Sequence, residues 1–242
     1  MKPAAIIFDC DGVLVDTERD GHRVGFNKAF AEFGIDADWD VDLYEKLLQT
    51  AGGKERMRAY FDDYGWPQDK VGEHGGKDAL IAALHKRKTR IVSELVATGD
   101  LPLRPGVLRI VDEAIANDVR LGVCTTSNAK FIDAVLDLMG PERKGRFEFV
   151  HAGDVVSRKK PDPEIYELAK QSLGIPADTC VVIEDSRNGL LASTGAGYPT
   201  LITQSTYTVK EDFTEAARVV PALGDDPALV TLEDLGALTS AA

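Results

Sequence analysis

Two aspartates separated by a single residue, Asp9 and Asp11, follow a short apolar run that starts at residue 4. Side chains at positions i and i+2 of a β-strand point to the same face, so two carboxylates at this spacing repel each other. One of them tends to take up a proton unless a cation lies between them. The spacing therefore predicts that the end of this strand meets a group that the strand itself does not contain.

Later apolar runs also end in polar residues that can do chemistry: Thr125, Lys160 after a loop, Glu184 and Asp185. In an open α/β sheet, ligands bind beyond the carboxyl ends of the strands, where these residues would meet Asp9 and Asp11. Carboxylates, a hydroxyl and an ammonium group at one edge suit Mg²⁺ together with a phosphate, because Mg²⁺ prefers oxygen ligands. One carboxylate can attack phosphorus, while a second protonates the leaving alcohol and then activates water. The hydroxyl and the ammonium group can stabilise charge on the phosphoryl oxygens.

Each of these residues, taken alone, also has an ordinary structural explanation. Asp11 and Gly12 form a common turn pair, Glu184 and Asp185 can be a polar strand end, and Lys160 can be a solvated surface charge. A calcium loop of the EF-hand type is excluded, because it needs a third acidic residue before its glycine and Gly12 directly follows Asp11. The phosphate chemistry therefore depends on the whole set being brought together.

The elements that would position this set belong to an α/β sheet. From residue 100 onward, helical stretches alternate with the short apolar runs RLGVC, FEFVHAGD, CVVIED and PTLIT, which is typical of βαβ units and a parallel sheet. Residues 17–99 are helical in pattern and contain no strand signal. We therefore expect an α/β core of residues 1–16 and 100–242, into which a helical domain of residues 17–99 is inserted.

Composition narrows the class of partner. The formal net charge of −12 argues against nucleic acids and anionic membranes as partners. No apolar segment approaches the roughly 20 residues that span a bilayer. The odd number of cysteines, three, disfavours a disulfide framework and suits a reducing compartment. No long apolar stripe demands a partner chain, so we expect a monomer.

The stretch DCDGVLVDT, which begins at Asp9, resembles the first motif of the haloacid dehalogenase (HAD) superfamily of phosphotransferases. LGVCTTSN, KKPDPEIY and VVIEDSRNG resemble its second, third and fourth motifs, in the family's order. The resemblance implies a Rossmann-like HAD core with a helical cap of the C1 type. It also implies Asp9 as nucleophile, Asp11 as general acid and base, Thr125 and Lys160 as phosphate-binding groups, and Mg²⁺ held by Asp9, the Asp11 carbonyl and Asp185, with Glu184 assisting.

The inserted domain carries basic residues that could recognise the remainder of a substrate. In GGKERM, Gly52 and Gly53 precede a predicted helix that starts with Lys54, Glu55 and Arg56. Helix N-termini and basic side chains favour a phosphate, so this segment indicates a substrate with a second phosphate or another anion. A plain solvated helix remains the alternative.

Two further pairs of residues in the inserted domain could face a ligand. His85 and Lys88 lie at i and i+3 of a predicted helix and share a face. Glu18 and His22, at the entry to the inserted domain, could bind sugar hydroxyls. A structural role for the histidine remains the alternative.

TERDGHR, GGKERM and HKRKT together resemble the CbbY-type branch of the superfamily, the xylulose-1,5-bisphosphate phosphatases of the Calvin–Benson cycle, and its plant and algal members above all. The resemblance implies hydrolysis of a sugar bisphosphate that inhibits Rubisco, in the chloroplast stroma or otherwise in a cytoplasm. It implies substrate contacts by Glu18, Gly52, Gly53, Lys54, Glu55, Arg56, His85, Lys88, Thr125, Thr126, Ser127 and Asn128. The alternatives are a β-phosphoglucomutase-like phosphotransferase and a non-catalytic, Rubisco-associated anion-binding protein.

Overall fold

A six-stranded, fully parallel sheet forms the centre of one unit of the chain, with the strand order β3-β2-β1-β4-β5-β6. The computed structural model describes residues 2–50, 52–153, 155–225 and 230–239. The strands are β1 (Ala5–Phe8), β2 (Arg120–Thr125), β3 (Phe147–Ala152), β4 (Cys180–Glu184), β5 (Thr200–Thr203) and β6 (Arg218–Val220). This arrangement confirms the predicted α/β fold.

The chain divides into two units, one of residues 1–16 and 102–242 and the other of residues 17–101. The second boundary falls after Leu101 rather than after Gly99. The sheet unit contains α6 (Val107–Ala116), α7 (Ala129–Asp137), α8 (Pro141–Lys144), α9 (Glu164–Leu173), α10 (Arg187–Gly195) and α11 (Leu232–Gly236). The predicted helix-rich segment is the second unit, and its described residues form no strand.

Continuous apolar runs place the middle strands in the interior of the sheet unit. Every residue of β1 and β4 is buried, as expected for parallel strands that are covered on both faces. On one face, Ile7 and Val182 pack in a cluster with Tyr166 of α9 and Ala192 of α10. Because β1 pairs with β2 on one side and with β4 on the other, the carboxyl ends of these three strands are neighbours.

The helical unit is built around aromatic side chains. A π-helical segment, Thr17–Arg23, leads into α1 (Val24–Glu32), α2 (Val41–Leu47), α3 (Gly53–Tyr64), α4 (Gln68–Glu73) and α5 (Lys77–Ala97). Trp39, fully buried, lies with its ring centroid 4.7 Å from that of Phe26 and 5.0 Å from that of Phe30. The Asn27 side chain bonds both the backbone N–H and the carbonyl of Trp39. This cluster gives the unit a core of its own.

The Arg104 guanidinium joins the loop after β1 to the far strands of the sheet. It donates hydrogen bonds to the carbonyl oxygens of Gly12, Thr203 (3.1 Å), Gln204 (2.7 Å) and Pro221 (3.0 Å). A guanidinium group has five N–H donors in a fixed plane, which allows one side chain to satisfy several carbonyls. Arg104 therefore holds the loop that carries Asp11 in place.

Substitution of Arg104 by methionine is expected to destabilise the protein by about 2–3 kcal/mol, because it leaves partly buried carbonyls without donors. Urea denaturation followed by circular dichroism measures the change. Arg158→Met is the matched control: its side chain is 69% exposed, and we expect a change within about 0.5 kcal/mol. Equal losses in the two variants would contradict the role of Arg104.

Candidate active site

Three buried carboxylates meet at the carboxyl edge of the sheet. Asp9 directly follows β1, Glu184 is the last residue of β4 and Asp185 follows it. One ligand oxygen from each of them lies within 4.8 Å of the others. The adjacency of β1 and β4 thus brings together Asp9 and Glu184, which are about 175 positions apart in the sequence.

The Lys160 ammonium group is bonded to two of these carboxylates. Its Nζ donates to Asp9 Oδ1 at 2.8 Å, to Glu184 Oε1 at 2.5 Å and to the Cys124 carbonyl at 2.9 Å. The Lys160 side chain is only 8% exposed. Burial opposes its charge, but the carboxylates of Asp9 and Glu184 outweigh burial and raise the pKa of Lys160 above its usual value. The lysine is therefore a permanent cation of the site.

Negative charge nevertheless exceeds what Lys160 neutralises. Burial raises the pKa of the Asp9 carboxyl to about 7. The Lys160 charge opposes this rise, but the charges of Glu184 and Asp11 add to it and the net change is upward. Burial, followed by the charges of Glu184 and Asp9, also raises the pKa of Asp185 well above its usual range. Closely spaced oxygen ligands with surplus negative charge fit a hard divalent cation such as Mg²⁺.

Of the other residues predicted for this edge, Asp11, Thr125 and Ser127 are linked by hydrogen bonds, whereas Thr126 and Asn128 are exposed. Thr125 ends β2, is fully buried and accepts a hydrogen bond from the backbone N–H of Ser127 at 3.1 Å. The Ser127 hydroxyl donates to Asp11 Oδ2, so the structure connects Asp11 to the loop after β2. Thr126 and Asn128 are exposed, and the Asn128 side chain caps the N-terminus of α7.

Three residues for which no role at this site was predicted determine how the carboxylates of Glu184 and Asp185 are placed. The Tyr166 hydroxyl donates to Glu184 Oε1 at 2.6 Å. A Cβ atom at Gly189 would lie 2.0 Å from Glu184 Oε2, and one at Gly12 would lie 1.9 Å from Asp185 Oδ2. Both glycines therefore leave room for a carboxylate against the backbone. All three residues lie inside the four motifs, so their positions gave a signal although their contacts did not.

In the helical unit, Glu18 and His22 lie on the π-helical segment Thr17–Arg23. Glu18 Oε2 accepts a hydrogen bond from the Tyr44 hydroxyl at 2.6 Å. The same hydroxyl accepts a hydrogen bond from Arg56 Nη1 at 2.9 Å. Two of the predicted site residues, Glu18 and Arg56, are thus joined through a tyrosine that the sequence analysis did not single out.

The two glycines before α3 are packed against side chains of their own unit. Gly52, with φ +88°, is the N-cap residue, and a Cβ atom there would lie 2.2 Å from Glu55 Oε2. A Cβ atom on Gly53 would lie 3.2 Å from both the Phe26 ring and the His85 ring. These contacts account for the glycines through internal packing, a reason that the sequence pattern did not reveal.

Basic side chains cluster beside these glycines. Lys88 is buried, with its Nζ 4.8 Å from the centroid of the Phe26 ring. Burial lowers the pKa of Lys88 to about 8, the nearby Glu18 charge opposes that change and Arg56 adds to it. Burial, followed by the charges of Lys88 and Lys54, lowers the pKa of His85. The helical unit therefore holds a concentration of positive charge in a protein whose net charge is −12.

Comparisons with known proteins agree with the motifs. Residues 3–197 match the model of the haloacid dehalogenase-like hydrolases. The chain is 50% identical to the CBBY-like protein of Arabidopsis thaliana over 226 residues, which is 93% of this chain and 70% of that protein. It is 42% identical to the plasmid-encoded protein CbbY of Cupriavidus necator, over 91% of this chain and 86% of that one.

A solved structure shows the same fold. It is a mutant of CbbY from Rhodobacter sphaeroides in complex with xylulose-(1,5)bisphosphate, and it is 36% identical to this chain. The alignment has a TM-score of 0.73 and covers 96% of this chain and 99% of that chain.

Substitution of Gly12 by alanine is expected to weaken divalent cation binding by roughly tenfold or more, because the new Cβ would displace the Asp185 carboxylate. Isothermal titration with Mg²⁺ measures the change. Gly174→Ala is the matched control, since Gly174 has a similar φ of +64° but no atom within 4 Å of an added Cβ. Equal losses of affinity in both variants would attribute the effect to backbone strain instead of to Asp185.

Proposed function

We propose that this chain, which belongs to the haloacid dehalogenase-like hydrolases, is an Mg²⁺-dependent phosphatase that hydrolyses xylulose 1,5-bisphosphate to xylulose 5-phosphate and phosphate. The observation that carries the proposal is the pairing of Asp9 with Lys160 beside Glu184 and Asp185. This set of groups suits attack on phosphorus better than binding of an anion alone, because most of its charge is negative. The similarity to CbbY proteins supports the choice of substrate.

In the first step of the proposed mechanism, an Asp9 oxygen attacks the phosphorus of the C1 phosphate. The bond between phosphorus and the sugar oxygen breaks, its electron pair leaves with the sugar oxygen, and Asp11 donates a proton to that oxygen. Lys160 is already bonded to Asp9 Oδ1, so it neutralises charge where the aspartyl-phosphate forms. Thr125, at the end of β2, would donate a hydrogen bond from its hydroxyl to a phosphoryl oxygen.

In the second step, Asp11 takes a proton from a water molecule, whose oxygen attacks phosphorus. The bond between phosphorus and the Asp9 oxygen breaks, which releases inorganic phosphate and restores the Asp9 carboxylate. The hydrogen bond from Ser127 holds the Asp11 carboxyl group for both proton transfers. Asp11 therefore ends the cycle with the proton that it had at the start.

Mg²⁺ would be held by the carboxylates of Asp9 and Asp185 and by the backbone carbonyl of Asp11, where it would offset the negative charge of the phosphoryl group. Glu184 serves these ligands indirectly in this proposal. Its Oε1 accepts from Lys160 and Tyr166, and its Oε2 accepts from the backbone N–H of Asp185 at 3.2 Å.

The helical unit would recognise the rest of the substrate. Lys88 supplies positive charge and His85 supplies a ring N–H donor for the second phosphate, and Glu18 supplies an acceptor for sugar hydroxyl groups. Removal of a bisphosphate that inhibits Rubisco, in a chloroplast stroma, is the setting that we propose from the likeness to the Arabidopsis thaliana protein. Among the described residues, no helix combines the length and the apolar character that crossing a bilayer requires.

Substitution of Asp9 by asparagine is expected to lower phosphate release from xylulose 1,5-bisphosphate by about 10³-fold or more, because an amide cannot form the phosphoenzyme. Chelation of Mg²⁺ is expected to have a comparable effect. A phosphate-release assay measures both, with the exposed Asp63→Asn as control. Unchanged turnover in Asp9→Asn would refute the proposed nucleophile, and wild-type protein that binds the bisphosphate without turnover would favour the non-catalytic alternative.

Xylulose 1,5-bisphosphate is expected to release phosphate much faster than β-glucose 1-phosphate is isomerised. A mutase must return the phosphoryl group to a second hydroxyl and therefore has to shield its aspartyl-phosphate from water. Parallel assays of phosphate release and of glucose 6-phosphate formation compare the two reactions. The reverse ranking would assign the protein to the β-phosphoglucomutase-like alternative.

A further inference from the structure

Tyr44, in α2, makes two hydrogen bonds inside the helical unit that connect residues from three separate elements. Its hydroxyl is 2.6 Å from Glu18 Oε2 on the π-helical segment and 2.9 Å from Arg56 Nη1 on α3. Tyr44 is fully buried. Arg56, also buried, anchors the far side of this chain of contacts, because its Nε donates to the Leu47 carbonyl at 3.1 Å.

The direction of each hydrogen bond follows from the donors that are available. A guanidinium group stays protonated and cannot accept, so Arg56 must donate to the Tyr44 oxygen. The tyrosine hydroxyl has a single proton, and an ionised carboxylate can only accept. That proton therefore points at Glu18, and both bonds gain strength from the ionised partner. The contacts from Arg56 through Tyr44 therefore fix the position of Oε2 of Glu18.

We infer that Tyr44 is a positioning residue, which orients Glu18 for the sugar hydroxyl groups of the substrate. Because Arg56 is held by the Leu47 carbonyl and donates to Tyr44, it helps to fix Glu18 through the tyrosine. This inference rests on the proposed function, since it assigns Glu18 to the substrate. The Arg56 guanidinium donates hydrogen bonds to the Tyr44 hydroxyl and the Leu47 carbonyl, so part of its effect on substrate binding is indirect and depends on the tyrosine.

A purely structural role for Tyr44 is the competing explanation, because its ring packs in the aromatic core of the unit. The ring centroid is 6.2 Å from that of Phe26 and 5.8 Å from that of Trp39, and the Arg56 guanidinium carbon lies 5.2 Å from it. Substitution of Tyr44 by phenylalanine keeps the ring in these contacts and removes only the hydroxyl. The two explanations then predict different kinetics.

The test is a double-mutant cycle on the full chain with Mg²⁺, comparing wild type, Tyr44→Phe, Glu18→Ala and the double variant. Xylulose 1,5-bisphosphate is the sugar substrate, and p-nitrophenyl phosphate is the ester without sugar hydroxyls. Tyr44→Phe is expected to raise KM for the bisphosphate about tenfold while kcat falls less than threefold, since the lost contact orients bound substrate. The loss of kcat/KM is expected to be several-fold smaller with p-nitrophenyl phosphate.

The double variant is expected to be no worse than Glu18→Ala alone, because Tyr44 has no side chain left to orient once the Glu18 carboxylate is removed. Tyr60→Phe is the matched control: Tyr60 belongs to the same aromatic core, 5.3 Å from the Trp39 ring, and it should leave KM unchanged. Additive losses in the double variant, or equal losses with both esters, would overturn the inference and leave Tyr44 a packing residue.

Failure of the proposed function has a different signature. Wild-type protein would then not hydrolyse xylulose 1,5-bisphosphate, although it would hydrolyse another sugar phosphate in a panel. The same cycle, run on that substrate, still decides whether Tyr44 and Glu18 act as a unit. Circular dichroism and the urea midpoint of each variant show whether the helical unit remains folded.

Discussion

The ammonium group of Lys160 lies between the carboxylates of Asp9 and Glu184, and the edge of the sheet is organised around that contact. A buried charge is costly to remove from water, and removal of one partner from such a pair costs about 3–5 kcal/mol. The arrangement is tolerable because the Cys124 carbonyl and the Tyr166 hydroxyl complete the hydrogen bonding. The lysine thereby permits acidic groups to stand closer together than their mutual repulsion would otherwise allow.

The two units hold local clusters of opposite charge, which explains how an acidic protein can act on an anionic ester. The sheet unit gathers carboxylates that need a cation, whereas the helical unit gathers Arg56, Lys88 and His85. Net charge describes the protein as a whole and argues against nucleic acids as partners, but it says nothing about local clusters. In each unit, the charged groups lie against aromatic or backbone groups that limit their hydration.

The sequence was sufficient for the fold and for the acidic residues because both depend on local patterns. Apolar runs followed by carboxylates identified β1 and β4, and four ordered motifs identified the family. The contacts of Tyr44, Arg104 and Tyr166 were out of reach, because each joins segments that become neighbours only in the folded chain. The three-residue run RVV that forms β6 was too short to predict a strand. Its pairing with β5 decides its conformation.

The pairing of β1 with strands far along the chain has a consequence for the order of folding. β1 is made before its partners β2 and β4, which end at Thr125 and Glu184. Contacts of such long sequence separation form slowly, whereas the helices of residues 17–101 depend on nearer neighbours. During synthesis on the ribosome, the helical unit can therefore acquire its structure while the strand that presents Asp9 still lacks a sheet to join.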